Sequence, residues 1–137
     1  MSSTLILLFP CIFVGPLPQN LAPADEWRAF FGAIQRVETG GHTDPANALG
    51  DSDRSLGWYQ IGRAYWQDSG VPGRYEQVRD RAYAERVMRG YFQRYAPAAV
   101  KGKDFEALSR LHNSGPNWQK KKHLTNKYWQ KVKAAMQ

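Results

Sequence analysis

The sequence predicts an α+β fold that is mostly α: about five helices, with a small irregular loop or β element after the first. Three observations carry this expectation. Apolar residues recur at intervals of three and four in five separate segments, the pattern of helices with one buried face. Residues 40–56 interrupt that rhythm with Gly, Pro, Asn, Asp and Ser. No segment shows the alternation of a half-buried strand. The chain has 137 residues, 42% hydrophobic and 23% charged, which suits one globular domain and argues against disorder.

The elements follow in order. Residues 1–24 hold no Lys, Arg, Asp or Glu. Leu5 to Val14 is an apolar run too short for a stable membrane span. Gly15, Pro16 and Pro18 follow, and then the A-x-A pattern Ala22-Pro23-Ala24. This order reads as a secretory signal peptide cut after Ala24, although no basic residue precedes the apolar run. Cutting there removes Cys11, the single cysteine of the chain, and leaves residues 25–137 as the folded domain without disulfides. Trp27, Phe30, Phe31, Ile34 and Val37 mark the first helix over residues 25–39, capped by Asp25 and stopped by Gly40-Gly41. After the polar stretch, Ser55 precedes a second helix with apolar residues at 58, 61, 65 and 66, ending near Gly70. A longer helix spans Tyr75 to Tyr95 and ends before Pro97. A fourth carries Phe105, Leu108 and Leu111, with Asp104 at its start and Gly115-Pro116 beyond it. A fifth carries Tyr128, Trp129, Val132 and Met136, with Thr125 as its cap.

Charge narrows the function classes. Nineteen basic residues against twelve acidic ones give +7, all of it on residues 25–137. Such a surface is drawn to polyanions. No helix-turn-helix, zinc finger or other nucleic-acid module is visible, so an anionic bacterial envelope is the expected partner and nucleic acid is not. The three histidines and few carboxylates show no ligand spacing, so no metal and no cofactor are expected. Aromatics reach 13%, with five Trp and seven Tyr, which suits both a bulky core and a sugar-lined cleft.

Glu38 is the first candidate for chemistry. It ends the apolar face of the first helix, and apolar surroundings disfavour the charged form of a carboxyl group, the tuning a general acid needs. The same position also suits a solvated glutamate paired with Arg36. Asp51 and Asp53 follow 13 and 15 residues later, in a loop that could fold back over the helix end. Cleaving a glycosidic bond uses two carboxyl groups, though loop aspartates more commonly cap turns.

Several segments resemble one family. Val37-Glu38-Thr39-Gly40-Gly41 resembles the E-[ST]-G-G signature of lysozyme-like muramidases. Gly57-Trp58-Tyr59-Gln60-Ile61 and Ala64-Tyr65-Trp66-Gln67-Asp68 resemble the G-[YP]-x-Q-I and Y-W-x-D segments of invertebrate-type lysozymes, the destabilase family. Leu111-His112-Asn113-Ser114-Gly115-Pro116 is similar to its I-H-N-G-G-P segment, and Tyr128-Trp129-Gln130-Lys131-Val132 to its Y-W-x-K-V. The five segments keep the family's order and cover nearly all of residues 25–137. Two departures stand out: residues 25–137 lack the cysteines in which the animal members are dense, and Ser114 replaces a usual glycine. The pattern therefore lies nearer to cysteine-poor bacterial relatives.

The resemblance implies a lysozyme-like fold and hydrolysis of β-1,4 links between N-acetylmuramic acid and N-acetylglucosamine in peptidoglycan; the leader pattern adds a secreted or periplasmic location. It implies Glu38 as general acid and Asp51 as second carboxylate, because Gly50-Asp51 precedes Gly57 at the spacing of the bacterial members; Asp53 stays open. Ser55, Tyr59 and Gln60 are assigned to substrate, the last two because the first turn of a helix opening there would face Glu38. Tyr65, His112 and Asn113 join them, although the bulk of Tyr65 and Trp66 suits the core better than a sugar platform. A lytic transglycosylase using Glu38 alone, or a wall-binding protein without activity, would share these segments.

Overall fold

A computed structural model of the protein describes residues 23–137; the expected signal peptide and Cys11 lie outside the described residues. The fold is α+β and mostly helical; the described residues form six α-helices and one three-stranded antiparallel sheet in the order β1-β2-β3. Helix α1 runs over Pro23–Thr39, followed by the strands β1 (Leu49–Gly50), β2 (Ser55–Leu56) and β3 (Ile61–Gly62). Then come α2 (Arg63–Ser69), α3 (Arg81–Tyr95), α4 (Pro97–Gly102), α5 (Phe105–Ser114) and α6 (Lys122–Ala135). None of the described helices is long and apolar enough to cross a membrane.

The core is built from the inner faces of α1, α3, α5 and α6. Phe30, Phe31 and Ile34 of α1 meet Val87, Met88 and Phe92 of α3, Leu108 and Leu111 of α5, and Val132 of α6. Phe30 is fully buried and stacks on Phe105, with ring centroids 4.6 Å apart. Truncating it to alanine would cost about 3–5 kcal/mol. Helix α6 packs against both α1 and α5. One polar contact locks the latter pair: the buried Arg110 donates to Thr125 Oγ1 at 2.9 Å and to the Lys122 carbonyl at 2.8 Å, and pairs with Glu106 at 2.7 Å.

Five expectations about the elements need correction. Residues 55–62 do not start a helix. Gly57, at φ +81°, and Gln60, at φ +52°, turn the chain back, and Leu56 pairs with Ile61 across a tight hairpin. The second helix begins at Arg63. The long third helix is broken at Asp80, whose extended backbone and side chain cap α3 by accepting from Tyr83 N–H at 2.7 Å; residues Tyr75–Arg79 form a 3-10 turn instead. Pro97 does end α3, but it also opens α4 from the first helical position, where its missing N–H is harmless. Thr125 is no cap: it is buried inside α6, which starts three residues earlier. Asp25 lies within the first turn of α1 and pairs with Arg28 at 3.1 Å.

Candidate active site

An open cleft of about 290 Å³ lies where the end of α1, the small sheet, α2 and the end of α5 meet. Glu38, Asp51, Arg54, Ser55, Gln60, Gly62, Tyr65, His112 and Asn113 line it. Seven of the eight sequence-assigned site residues are thus brought together.

Local chemistry explains why each wall stands where it does. Glu38 is the penultimate residue of α1. The next residue, Thr39, is buried and donates from its hydroxyl to the Trp58 carbonyl at 2.8 Å, which ties the helix end to the β2–β3 turn. In that turn the Gln60 amide donates to the Ala48 carbonyl at 3.1 Å and to the Gly57 carbonyl at 3.0 Å, and its oxygen accepts from Ser55 Oγ at 3.0 Å. One side chain therefore fastens β2 and the β2–β3 turn to the residue that precedes β1. Gly50 has to be glycine beside it: a Cβ there would lie 2.0 Å from Gln60 Oε1. The β1–β2 loop then follows with Asp51, Ser52 and Asp53 all in left-handed backbone conformations, at φ 49°, 56° and 67°. Such conformations are uncommon for residues other than glycine. Arg54 closes it with a hydrogen bond from Nε to the Asp51 carbonyl at 2.9 Å.

The Glu38 side chain is 21% exposed. Its Oε1 accepts from Tyr128 Oη–H at 2.7 Å, and His112 Nε2 lies 3.5 Å from the same oxygen. Among the described residues no hydrogen bond reaches Oε2, so that oxygen is available to the cleft. His112 is held on both ring nitrogens. Nε2 is 3.1 Å from the Tyr59 carbonyl, and because a carbonyl can only accept, Nε2 carries the hydrogen. Nδ1 then accepts from Tyr65 Oη–H at 3.1 Å. Burial, reinforced by the Glu38 charge, pushes the phenols of Tyr65 and Tyr128 well above the usual tyrosine range, so both remain hydrogen-bond donors. Tyr65 is further fixed by stacking on Tyr91, with centroids 3.6 Å apart.

Tyr59 is the exception among the assigned residues. Because the segment is a hairpin and not the first turn of a helix, its side chain points into the core with no exposure, and its hydroxyl meets Glu85 at 2.5 Å and Arg81 at 3.1 Å. Its contribution to the cleft is the carbonyl that holds His112. Asp53 does not line this cleft but a neighbouring depression of about 480 Å³, with Arg63 and Tyr75. Trp66, expected in the core, packs on it and donates to Tyr83 Oη at 2.9 Å. Arg54 and Tyr128 were not anticipated. Tyr128 reaches Glu38 across 90 positions of sequence, which no local pattern records.

The model of the destabilase family matches residues 32–135. The chain is 35% identical over 82 residues to Lysozyme 1 of Crassostrea virginica, covering 58% of this chain and 44% of that protein. It is 34% identical over 80 residues to a lysozyme of Magallana gigas, covering 57% and 58%. It is 30% identical over 97 residues to the invertebrate-type lysozyme of Ruditapes philippinarum, covering 69% and 71%. The chain spans about half the length of the first two of these curated relatives. With most of its described length matched by the family model, the chain belongs to the destabilase family.

Proposed function

We propose that the chain is a muramidase that hydrolyses β-1,4 links between N-acetylmuramic acid and N-acetylglucosamine in peptidoglycan. The observation that carries this reading is the convergence of Glu38 and Asp51 on one open cleft. Glycoside hydrolysis uses two carboxyl groups, one to protonate the leaving oxygen and one to act as base or nucleophile. Glu38 is the general acid. Tyr128 holds Oε1, with His112 beside it, and Oε2 is presented to the glycosidic oxygen; after the proton has left, the Tyr128 hydrogen bond stabilises the resulting carboxylate. Asp51, on the hairpin loop that walls the cleft, is the second carboxylate. Ser55, Gln60, Tyr65, His112 and Asn113 supply polar groups for sugar hydroxyls and N-acetyl groups.

Relatives named as lysozymes support this reading, and so does the net charge of +7, which favours approach to an anionic bacterial envelope. Together with the expected leader they support a secreted or periplasmic site of action. The test is mass spectrometry of the muropeptides that the purified protein releases from peptidoglycan. Hydrolysis gives reducing muramic acid ends. A 1,6-anhydro end would mark a lytic transglycosylase instead, and no release would mark a wall-binding protein without turnover.

A further inference from the structure

The positive charge of this chain is not spread over it. From Ala107 to the end of the sequence there is no Asp or Glu, while Arg110 and the six lysines Lys120, Lys121, Lys122, Lys127, Lys131 and Lys133 fall there. Removing these seven from the nineteen basic residues leaves twelve, which the twelve acidic residues cancel. The whole excess of +7 therefore belongs to residues 107–137, which hold most of α5, all of α6 and the turn between them. Arg110 is buried and paired with Glu106, but all six lysines are exposed. The ion pairs among the described residues involve other groups.

This arrangement works against the helix that carries it. Lys127 and Lys131 are four residues apart, so they are like-charge neighbours on one face. Lys120, Lys121 and Lys122 stand at the start of α6, where the helix dipole disfavours cations. No acidic side chain on α6 offsets either effect. Packing is not the reason for the lysines, because the inner face of α6 is supplied by Thr125, Tyr128, Trp129 and Val132.

We infer that the 3-10 turn Trp118–Lys121 and the outer face of α6 form a docking strip for a linear phosphodiester polymer without bases, of the polyol-phosphate kind. At about 1.5 Å per residue the strip is roughly 20 Å long. Charge complementarity fits a polyanion, and lysines are hydrated point charges that suit a flexible chain of phosphates rather than one fixed geometry. The aromatic residues of this region, Trp118, Tyr128 and Trp129, are partly buried against the core, and Lys122 lies over the Trp118 ring, so the strip is a poor platform for stacking nucleic-acid bases. Leu124 is its one exposed large apolar side chain, which is too little for insertion into a lipid surface. The strip also borders the cleft. Lys121 Nζ donates to the Ser114 carbonyl at 3.3 Å, next to the cleft residue Asn113, and Tyr128 on the opposite side of α6 holds Glu38. A polymer lying along α6 would keep a neighbouring glycan strand within reach of the cleft.

The test compares the full chain with two variants of equal charge loss: Lys120, Lys121, Lys127 and Lys131 all changed to Gln, and Arg28, Arg36, Arg86 and Lys101 all changed to Gln. Binding to immobilised poly(glycerol phosphate) is measured from low to moderate salt, beside single-stranded DNA of equal charge and phosphatidylglycerol vesicles. Matching circular dichroism and melting curves establish that both variants fold. The strip predicts that the α6 variant loses roughly tenfold or more in polymer affinity, with a log–log salt slope shallower by about 3, while the other variant keeps most of both. Equal losses in the two variants would overturn it, since net charge alone would then suffice. Tighter binding to DNA or to vesicles than to the polymer would also overturn it, and would assign the strip to that partner. Because the readout is binding, the result does not depend on whether the chain cleaves glycans.

Discussion

Gly50→Ala probes the wall of the cleft. The backbone of Gly50 is not in the left-handed region, so alanine is not strained there by itself. The obstacle is Gln60: the new methyl would lie 2.0 Å from its Oε1 and 2.8 Å from Ser55 Oγ. Gln60 can swing away only by giving up its three hydrogen bonds to Ala48, Gly57 and Ser55. At about 1 kcal/mol net for each, in a half-buried site, the loss is about 2–3 kcal/mol. For a domain of this size that lowers the melting temperature by roughly 8–12 °C. Gln60→Ala removes the same bonds and should cost a similar amount. The double variant is decisive, because with Gln60 truncated only Ser55 Oγ, then released from its bond to Gln60, has to turn aside for the methyl. Chemical denaturation of the four proteins should give a strongly non-additive cycle, the double variant being no less stable than Gln60→Ala alone. Additive losses, or a Gly50→Ala cost below about 0.5 kcal/mol, would refute the claim that one glutamine sets the hairpin that carries Asp51.

Other outcomes follow from the same geometry. Thr39→Val strips the Trp58 carbonyl of its buried donor and should cost about 1–3 kcal/mol in urea unfolding, whereas Thr39→Ser should retain most of the stability. Tyr128→Phe should leave the fold intact but lower kcat roughly tenfold with little change in KM, because it removes the donor that steadies the Glu38 carboxylate as the proton leaves. Burial raises the phenols of Tyr59, Tyr65 and Tyr128, and pushes that of Tyr91 up to about 12. A group with a raised folded pKa lends stability that is complete below its unfolded pKa and is lost as pH rises toward the folded one. Denaturant midpoints should therefore hold up to about pH 10 and fall steeply above it, with phenolate absorbance appearing together with unfolding.

The helices were legible where one apolar face persisted. Phe30, Phe31 and Ile34 bury the face of α1 that their spacing indicates, and Leu108 and Leu111 do so in α5. Glu38 and His112 could be placed at helix ends on that basis. The hairpin at 55–62 was not legible, because Trp58, Ile61 and Tyr65 happen to fit a helical period. What sets the hairpin is a side chain, Gln60, bonded across a turn, and periodicity does not encode such bonds. Tyr59 was displaced from the cleft to the core for the same reason. Arg54 carries only the ordinary signature of a charged loop residue. Thr125 looked like a cap because a hydroxyl before an apolar run is ambiguous. Its partner, the buried Arg110, is fifteen positions away on another helix.

Turnover of peptidoglycan by Glu38→Gln, Asp51→Asn and Asp53→Asn, measured side by side on folded proteins, tests the division of labour in the cleft most directly. Catalysis by Glu38 and Asp51 predicts that the first two lose activity by several orders of magnitude while binding is retained, and that Asp53→Asn stays close to the unmodified chain. Wall lysis by Glu38→Gln at the unmodified rate, or a loss at Asp53 that exceeds the loss at Asp51, would contradict it.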